Sequence, residues 1–330
     1  MQSRNYSGSG RFVPYLAAMT ERATLEAALA PISAGRATAR LADGRANIVL
    51  DVTGLPESAR DALEADVKAA AQALPGITEV RVLQTSERVQ RRLIAVASGK
   101  GGVGKSTVAA NLAIALKAAG RRIGMVDADI YGPSQTKLLR MEGVKAQAKD
   151  EKLIPLDTPH GIPLLSMGAL VPEGQAIAWR GPMAGGALGQ LVDAHWGNTD
   201  TLILDLPPGT GDVQLTMVQK HKPAGAVIVS TPQDLALIDA TRAIDLFNKV
   251  NIPIIGLVEN MAGYACPHCG EISDPFGKGG AEAAAEKLGI PFLGRIPLDI
   301  AIRTASDAGN AADASAFAEI AGKVEQWLAQ

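Results

Sequence analysis

The chain is poor in cysteine, in aromatic side chains and in net charge. Its 330 residues include two cysteines and 4% Phe, Trp and Tyr, and 32 basic against 34 acidic side chains give a formal net charge of -2. Two cysteines exclude a disulfide-rich secreted scaffold, and the balanced charge offers no basic surface for nucleic acid. The first 19 residues contain no apolar run typical of a leader or a membrane span. We therefore predict a cytoplasmic protein with neither a nucleic-acid nor a membrane partner.

The first 88 residues predict an extension followed by a small domain. Residues 1–19 are rich in Ser and Gly, so we expect a disordered extension, with Met19 as an alternative natural start. Residues 20–88 are expected to form an α+β domain, with a strand at 45–52, a helix at 57–74 and a strand at 77–83. In that helix one apolar face is formed by Leu63, Val67, Ala70 and Leu74.

Residues 89–330 follow a different pattern, in which short apolar runs alternate with helical segments. Six runs without polar alternation are predicted as strands: 93–98, 121–129, 200–207, 224–231, 252–260 and 292–298. Such runs are typical of strands buried on both faces, which belong to parallel sheets covered by helices on either side. The predicted fold class is therefore α/β, a doubly wound, mostly parallel sheet.

A glycine-rich loop follows the first of these runs and fits the pattern G-x-x-x-x-G-K-[ST]. This loop, here called the P-loop, comprises Gly99, Lys100, Gly101, Gly102, Val103, Gly104, Lys105, Ser106 and Thr107. Glycines let backbone N–H groups surround a polyphosphate, and the helix that follows adds the positive end of its dipole. On an exposed loop, Lys105 is predicted to contact the β- and γ-phosphates of ATP, Ser106 to ligate Mg²⁺ and Thr107 to contact the α-phosphate. The alternative is an incidental glycine-rich turn.

Carboxylates follow two of the other predicted strands. Asp205 ends the run TLILD and is predicted to bind Mg²⁺ or its water. Asp127 and Asp129 follow the second run, and one is expected to orient the attacking water while the other contributes to the metal's shell. The alternative for these three residues is an ordinary turn or helix cap. Asp212, in PPGTGD, is a candidate for a nucleotide switch.

Both cysteines lie in one short segment, Cys266-Pro267-His268-Cys269. Metal centres held by cysteine usually have four protein ligands, so two thiols leave two ligands unidentified. Thiolates suit iron–sulfur clusters and zinc alike. A redox-active dithiol and a four-cysteine zinc site are therefore alternatives to an iron–sulfur cluster.

The lysine at the second position of the P-loop, Lys100, makes the loop resemble that of the deviant P-loop ATPases. These include the nitrogenase iron protein, MinD, ParA and the Mrp/ApbC/Nbp35 iron–sulfur cluster carriers. Segments across residues 90–310 resemble the last group, among them DADIYGPS, WRGPM, LILDLPPGTGD, STPQDLALIDATRAI and ENMAGYACPHCG. The resemblance implies a homodimer that hydrolyses ATP and carries one [4Fe-4S] cluster, with apoprotein clients and iron–sulfur assembly factors as partners.

The same resemblance assigns roles to individual residues. It implies that Lys100 reaches the partner subunit's nucleotide and that Asn260 binds the adenine base, for which the alternative is an Asn that caps a strand end. The predicted catalytic residues are Lys100, Lys105, Asp129 and Asp205. The predicted metal ligands, for the cluster shared between two subunits and for Mg²⁺, are Cys266, Cys269 and Ser106.

Two other functions stay open: a MinD- or ParA-like positioning ATPase that acts on a membrane or on DNA, and a zinc-binding scaffold with weak hydrolysis. Residues 55–82 resemble a MIP18-like domain that lacks its cysteine-bearing segment, so a docking or structural role is expected for it. The C-terminal segment 315–330 has one apolar face, formed by Phe317, Ile320, Val324, Trp327 and Leu328. Its polar face is not basic, as membrane-surface helices require, so we expect it to pack on the domain.

Overall fold

The computed structural model describes residues 13–53, 55, 57–86, 91–170, 180–312 and 315–330. The chain divides into two compact units, residues 1–89 and 90–330. The sequence pattern places this boundary between residues 88 and 89. Each unit has its own buried core.

The first unit is a three-stranded sheet with two helices. Its elements in chain order are α1 (Val13–Ser33), β1 (Ala37–Ala42), β2 (Arg45–Asp51), α2 (Glu57–Gln72) and β3 (Glu79–Thr85). Strand β2 lies in the centre, antiparallel to β1 and parallel to β3. Its residues alternate between buried and exposed, so Ile48 and Leu50 point into the core with Leu25 and Leu29 of α1 and Val67 of α2.

The three elements predicted for this unit are present, whereas α1 and β1 were not predicted. Helix α1 begins at Val13, inside the stretch 1–19 for which a disordered extension is predicted. The run Leu16-Ala17-Ala18-Met19 favours the helix there, because every residue in it has a high helix propensity. Residues 1–12 of the predicted extension lie outside the described residues. The likeness to a MIP18-like domain stays a prediction.

The second unit contains an eight-stranded sheet and two small antiparallel pairs. The strands are β4 (Arg92–Ala97), β5 (Ile123–Asp127), β6 (Gln147–Lys149), β7 (Lys152–Ile154), β8 (Leu156–Asp157), β9 (Pro163–Ser166), β10 (Thr201–Asp205), β11 (Gly225–Ser230), β12 (Ile254–Asn260), β13 (Tyr264–Ala265), β14 (Ile272–Ser273) and β15 (Phe292–Ile296). The sheet order is β15-β12-β11-β4-β10-β5-β9-β8, parallel except where β8 meets β9. The two pairs are β6 with β7 and β13 with β14.

Helices cover both faces of this sheet. They are α3 (Lys105–Ala118), α4 (Gln135–Leu138), α5 (Gly181–Val192), α6 (Asp212–His221), α7 (Asp234–Lys249), α8 (Gly280–Leu288), α9 (Ile300–Asp307) and α10 (Ser315–Leu328), with a 3₁₀ turn at Met167–Leu170. One buried cluster joins the sheet to α5, α6, α7 and α8, and the other joins it to α3, α9 and α10. Strands β5, β10 and β11 are buried along their whole length. The predicted doubly wound, mostly parallel α/β fold is thus confirmed.

The C-terminal helix α10 packs on the second unit, as its apolar face predicts. Phe317, Ile320, Val324 and Leu328 are buried in the cluster that contains α3, and Trp327 packs against the same cluster. Across the described parts of the chain, no helix has the length and apolar character needed to cross a bilayer. The cytoplasmic location stays a prediction.

Candidate functional site

The predicted phosphate loop and carboxylates meet at one edge of the sheet. Strands β4, β10 and β5 are parallel neighbours, and Asp205 pairs in register with Asp127 on one side and Val96 on the other. The carboxyl ends of these strands therefore bring the P-loop, Asp127 and Asp205 together. A cleft of about 340 Å³ opens here, lined by Ser98, Lys100, Gly101, Gly102, Gly104, Lys105, Ser106, Thr107, Asp129, Ser134, Lys137, Leu138, Pro208, Ser306 and Asp307.

The P-loop needs glycine for two different reasons. Gly102 and Gly104 have φ angles of +81° and +80°, a left-handed conformation that side chains with a Cβ rarely adopt. At Gly99 the reason is space, because a Cβ there would lie 2.0 Å from the carbonyl oxygen of Asp239. Helix α3 begins at Lys105, directly after Gly104 of the P-loop, so its unpaired N–H groups face the cleft.

Lys105 is buried between two carboxylates. Its side chain is 6% exposed and forms an ion pair with Asp205, which is 0% exposed. The Lys105 ammonium also lies 3.7 Å from Asp129. The expectation that Lys105 lies on an exposed loop is therefore wrong, because the strand-end carboxylates provide the compensating charge that a buried ammonium requires. No local sequence pattern indicates the distance between the P-loop and these carboxylates.

Asp127 lies behind Asp205 and is fully buried. Burial, and then the negative charge of Asp205, raises the pKa of Asp127 to about 7. Three donors contact its carboxylate: the Gln135 backbone N–H at 3.0 Å, the Asp129 backbone N–H at 3.2 Å and the Ser166 hydroxyl at 3.1 Å. Since Asp127 does not line the cleft, it is placed to support the site rather than to contact a ligand.

Asn260 contacts the P-loop but does not line the cleft. It ends β12, it is 7% exposed, and its Nδ2 donates to the Val103 carbonyl at 2.8 Å. A Cβ on Gly104 would lie 2.2 Å from that nitrogen, so the glycine also makes room for Asn260. Adenine binding by Asn260 stays a prediction. Asp212 is the exposed first residue of α6, and Gly209 donates its N–H to the Ser98 carbonyl at 2.9 Å.

The two cysteines lie on a small hairpin beyond β12. Strands β13 and β14 pair on either side of them, and the Cys266 N–H donates to the Glu271 carbonyl at 2.9 Å. The turn closes when Gly270, at φ +74°, donates its N–H to the Cys266 carbonyl at 2.8 Å. Cys266 is half-buried, Cys269 is exposed, and neither forms a disulfide. Both sulfur atoms are thus presented by one hydrogen-bonded turn.

The backbone of the cysteine turn favours a thiolate. Hydrogen bonds to the Cys266 sulfur from the backbone of Cys269, from that of His268 and from the Cys269 side chain lower the pKa of the Cys266 thiol. Thiolates are the form that binds metals. Among the residues that the structure describes, no three His, Cys, Asp or Glu side chains are grouped to hold a metal ion. The turn therefore offers two thiols, and a four-cysteine metal site here would need two further ligands from elsewhere.

The structure adds residues that the sequence motifs did not indicate. The outer part of the cleft is formed by α4 and α9, through Ser134, Lys137, Leu138, Ser306 and Asp307. Gln135 lies beneath this surface, fully buried among the carboxylates. No motif marks these residues, because their place depends on how α4 and α9 pack beside α3. The segment GPSQ at 132–135, which follows Asp129 after two intervening residues, was the available signal for Ser134 and Gln135.

This arrangement defines a class of protein. A glycine-rich loop between a buried parallel strand and a helix, with a lysine and strand-end carboxylates at one cleft, is the site of a P-loop NTPase. A family model described as NUBPL iron-transfer P-loop NTPase matches residues 89–329. The chain belongs to this family of iron–sulfur cluster carrier and transfer P-loop NTPases.

Relatives in distant organisms agree with this assignment. An iron–sulfur cluster carrier protein of Pseudomonas fragi is 48% identical over 245 residues, which cover 73% of this chain and 81% of the relative. An iron–sulfur protein of Arabidopsis thaliana, required for mitochondrial NADH dehydrogenase, is 48% identical over 72% of this chain and 76% of its own length. The resemblance to cluster carriers stated from the motifs is thus confirmed.

Solved structures show the same fold. A nucleotide-binding protein from Archaeoglobus fulgidus, in complex with ADP, has a TM-score of 0.60 and 41% identity, and covers 67% of this chain and 88% of its own. The cell division ATPase MinD of Pyrococcus furiosus has a TM-score of 0.54 over 72% of this chain and 99% of its own. At 24% identity, the likeness to MinD concerns the fold alone.

Proposed function

We propose that the protein is an ATP-hydrolysing homodimer that holds one [4Fe-4S] cluster between two copies of its cysteine turn and transfers it to apoproteins. The observation that carries this proposal is the cysteine turn itself, which presents two free thiols in the same unit as a complete P-loop. A positioning ATPase has no use for such a turn. The family membership supports the cluster as cargo.

The nucleotide would occupy the cleft with its phosphates against the P-loop. The N–H groups at the start of α3 and the Lys105 side chain border that position, and Thr107, which lines the same cleft, is proposed to contact the α-phosphate. The Ser106 hydroxyl lines the cleft and is an oxygen donor that suits Mg²⁺, whereas the Asp205 carboxylate is fully buried behind the cleft and is proposed to act on the metal through a coordinated water. When bound, Mg²⁺ neutralises charge on the β- and γ-phosphates.

The protein would promote hydrolysis by positioning the reacting groups and stabilising their charge, not by forming a covalent intermediate. Asp129 lines the cleft, and two backbone N–H groups, from Tyr131 at 3.0 Å and Gly132 at 3.3 Å, fix one of its oxygens. Its other oxygen is the one near Lys105, so the carboxylate is held in a defined orientation to accept a hydrogen bond from the attacking water. Lys100 lines the same cleft and is proposed to complete the partner subunit's site.

A second copy of the chain is the simplest source of the missing cluster ligands. One turn gives two thiolates, and a [4Fe-4S] cluster takes four. A two-fold axis through the cluster would bring Cys266 and Cys269 of both copies together. Because Cys269 is exposed and Cys266 half-buried, both can approach a partner without local unfolding.

Anaerobic reconstitution with iron and sulfide tests the proposal. The wild-type dimer should hold about four iron and four sulfide per two chains, as one [4Fe-4S] cluster requires. Cys266→Ala or Cys269→Ala removes two ligands from each dimer, so either single variant should lose the cluster as fully as the double variant does. ATP binding should persist in all three. His268→Ala, which changes the exposed residue between the cysteines, is the matched control and should keep the cluster.

The other outcomes separate the alternatives. Metal without sulfide would indicate a zinc site, and a disulfide that titrates on oxidation, with no iron in the wild type, would indicate a redox dithiol. A single cysteine variant that retains a full cluster would contradict ligation by two turns. ATP hydrolysis that depends on DNA or on lipid vesicles, in protein without iron, would favour a positioning ATPase.

A further inference from the structure

Gln135 occupies the centre of the carboxylate cluster behind the P-loop. It is the first residue of α4, six residues after Asp129, and its side chain is fully buried. Its Nε2 donates to Asp205 Oδ2 at 2.8 Å and to the Ser106 carbonyl at 2.9 Å. Its backbone N–H donates to Asp127 at 3.0 Å. One residue thus bonds to both buried carboxylates and to the P-loop backbone.

The hydrogen-bond inventory of glutamine shows why this residue type fits. The side-chain amide carries two N–H donors, and both are used, one on Asp205 and one on Ser106. Its Oε1 is buried and, within the described parts of the chain, has no hydrogen-bond partner. A buried unpaired acceptor costs about 1–3 kcal/mol, so packing alone would favour an apolar side chain here. The two donated bonds are therefore the reason for an amide at this position.

Asp205 is consequently held at both of its oxygens. Lys105 binds Oδ1 and Gln135 binds Oδ2, so the carboxylate cannot rotate without breaking one of these contacts. The same amide fixes the Ser106 carbonyl, and the Ser106 hydroxyl is the proposed oxygen donor to Mg²⁺. The Gln135 amide thus sets the distance between Asp205 and Ser106. Because this amide is uncharged, it adds no charge next to Asp127 and Asp205.

We infer that Gln135 is a positioning residue for the metal side of the nucleotide site: its amide ties Asp205 to the P-loop at Ser106. The inference rests on the proposed binding of Mg²⁺ and ATP in this cleft. Gln135 touches neither ligand, since it does not line the cleft, and acts through the two groups that it holds.

Gln135→Met tests the inference, because methionine matches the length of glutamine and lacks both donors. We expect the Mg²⁺ concentration that half-saturates binding of a fluorescent ATP analogue to rise about tenfold, the effect of losing one hydrogen bond to a charged group. Metal-free nucleotide binding should change less than threefold, because the P-loop N–H groups and Lys105 remain. In hydrolysis, kcat should fall while the KM for ATP at saturating Mg²⁺ stays within about threefold.

A second variant and a control keep the test decisive. Gln135→Glu keeps the side-chain shape but places a third carboxylate beside Asp127 and Asp205, and should raise the half-saturating Mg²⁺ concentration at least as much as Gln135→Met. Ser166→Ala removes a donor from Asp127 and leaves Asp205 and Ser106 untouched, so its Mg²⁺ dependence should match the wild type within about twofold. Thermal melting of each variant confirms that it is folded at the assay temperature.

Each outcome decides the inference. Equal Mg²⁺ dependence in the wild type and Gln135→Met overturns it. A shift in Ser166→Ala as large as that in Gln135→Met also overturns it, because the effect would then come from a general loss of packing around the buried carboxylates. If Gln135→Met does not fold, a normal Mg²⁺ dependence in Gln135→Glu overturns it equally. A wild type that binds no nucleotide refutes the proposed function itself, and the inference with it.

Discussion

Replacing Lys105 should destabilise the second unit as well as disable its nucleotide site. The side chain is 6% exposed, and its partner Asp205 is 0% exposed. Lys105→Met would leave Asp205 buried with one amide donor, beside a second buried carboxyl at Asp127. Removing one partner of a buried ion pair costs about 3–5 kcal/mol. This is a large share of the stability of a typical domain, which is about 5–15 kcal/mol.

The assay is urea unfolding followed by tryptophan fluorescence. All three tryptophans, Trp179, Trp196 and Trp327, belong to the unit 90–330, so the signal reports that unit and not the first one. With a urea dependence of about 3 kcal/mol per molar, a loss of 3–5 kcal/mol moves the midpoint down by about 1–2 M. Nucleotide and Mg²⁺ are omitted, because binding to the folded state alone would mask the loss.

A double-mutant cycle separates the ion pair from the general effect of each substitution. Asp205→Asn leaves Lys105 with Asp129 at 3.7 Å, so it should cost less than Lys105→Met. In the double variant no buried charge of the pair is left unpaired, and its loss should fall about 2 kcal/mol short of the sum of the two single losses. Losses that add within about 0.5 kcal/mol would refute the pairing described for Lys105 and Asp205.

Three further predictions concern the same site. Gly104→Ala should abolish nucleotide binding in a calorimetric titration, because the φ of +80° is strained for alanine and its Cβ would lie 2.2 Å from Asn260 Nδ2. Gly120→Ala is the control: its φ is +96°, no atom lies within 4 Å of the added Cβ, and it should bind nucleotide normally. Asp127→Asn should flatten the pH dependence of metal-free urea midpoints: a folded pKa of about 7, above the usual 3.8, means that wild-type stability is lost as pH rises from about 4 to 7. Lys100→Ala should keep most ATP binding and lose steady-state hydrolysis, because its proposed target is the partner subunit's nucleotide.

The outcomes that contradict these three predictions are equally concrete. Normal binding by Gly104→Ala would mean that the P-loop tolerates a side chain against Asn260. A pH profile of Asp127→Asn that still falls from pH 4 to 7 would assign the lost proton to another group. For Lys100→Ala, mixing with a Lys105→Ala chain should restore hydrolysis at one site of the mixed dimer, and unchanged rates would leave the trans role without support.

The large apolar elements of the fold follow directly from the sequence, and the small polar ones do not. All six predicted strands of the second unit are present, because each is a continuous apolar run that only a doubly covered sheet can bury. Strand β9 was missed, although its last three residues are buried, because Pro163–Ser166 is too short for its pattern to differ from a turn. Helix α1 was missed because Ser and Gly before it dominated the composition.

In the candidate site, too, some residues could be predicted from the sequence and others could not. Lys105, Ser106 and Asp205 could be assigned from motifs, because their chemistry fixes their residue types at strand ends. Gln135 could not, since an uncharged side chain outside any motif gains its role only from contacts with the ends of β5 and β10 and with the P-loop. The burial of Lys105 was also missed, because it depends on the sheet order, which no local pattern contains.

The end of strand β12 links the nucleotide cleft to the cysteine turn. Successive side chains of a strand point to opposite faces. Asn260 points to the face of α3 and donates to Val103 of the P-loop at 2.8 Å. Glu259 points to the other face, where it is fully buried and accepts hydrogen bonds from the Ala281 N–H at 2.8 Å and from Arg295 at 3.0 Å.

Those contacts of Glu259 fix both ends of the segment that carries the thiols. The segment 261–279 leaves β12 directly after Asn260 and returns at α8, whose first turn is bonded to Glu259. A P-loop movement large enough to lengthen the bond from Asn260 to Val103 therefore acts on the strand end from which the cysteine segment starts. Because buried and packed elements shift as units rather than deform continuously, we expect Cys266 and Cys269 to move together with the base of their segment, not independently of it.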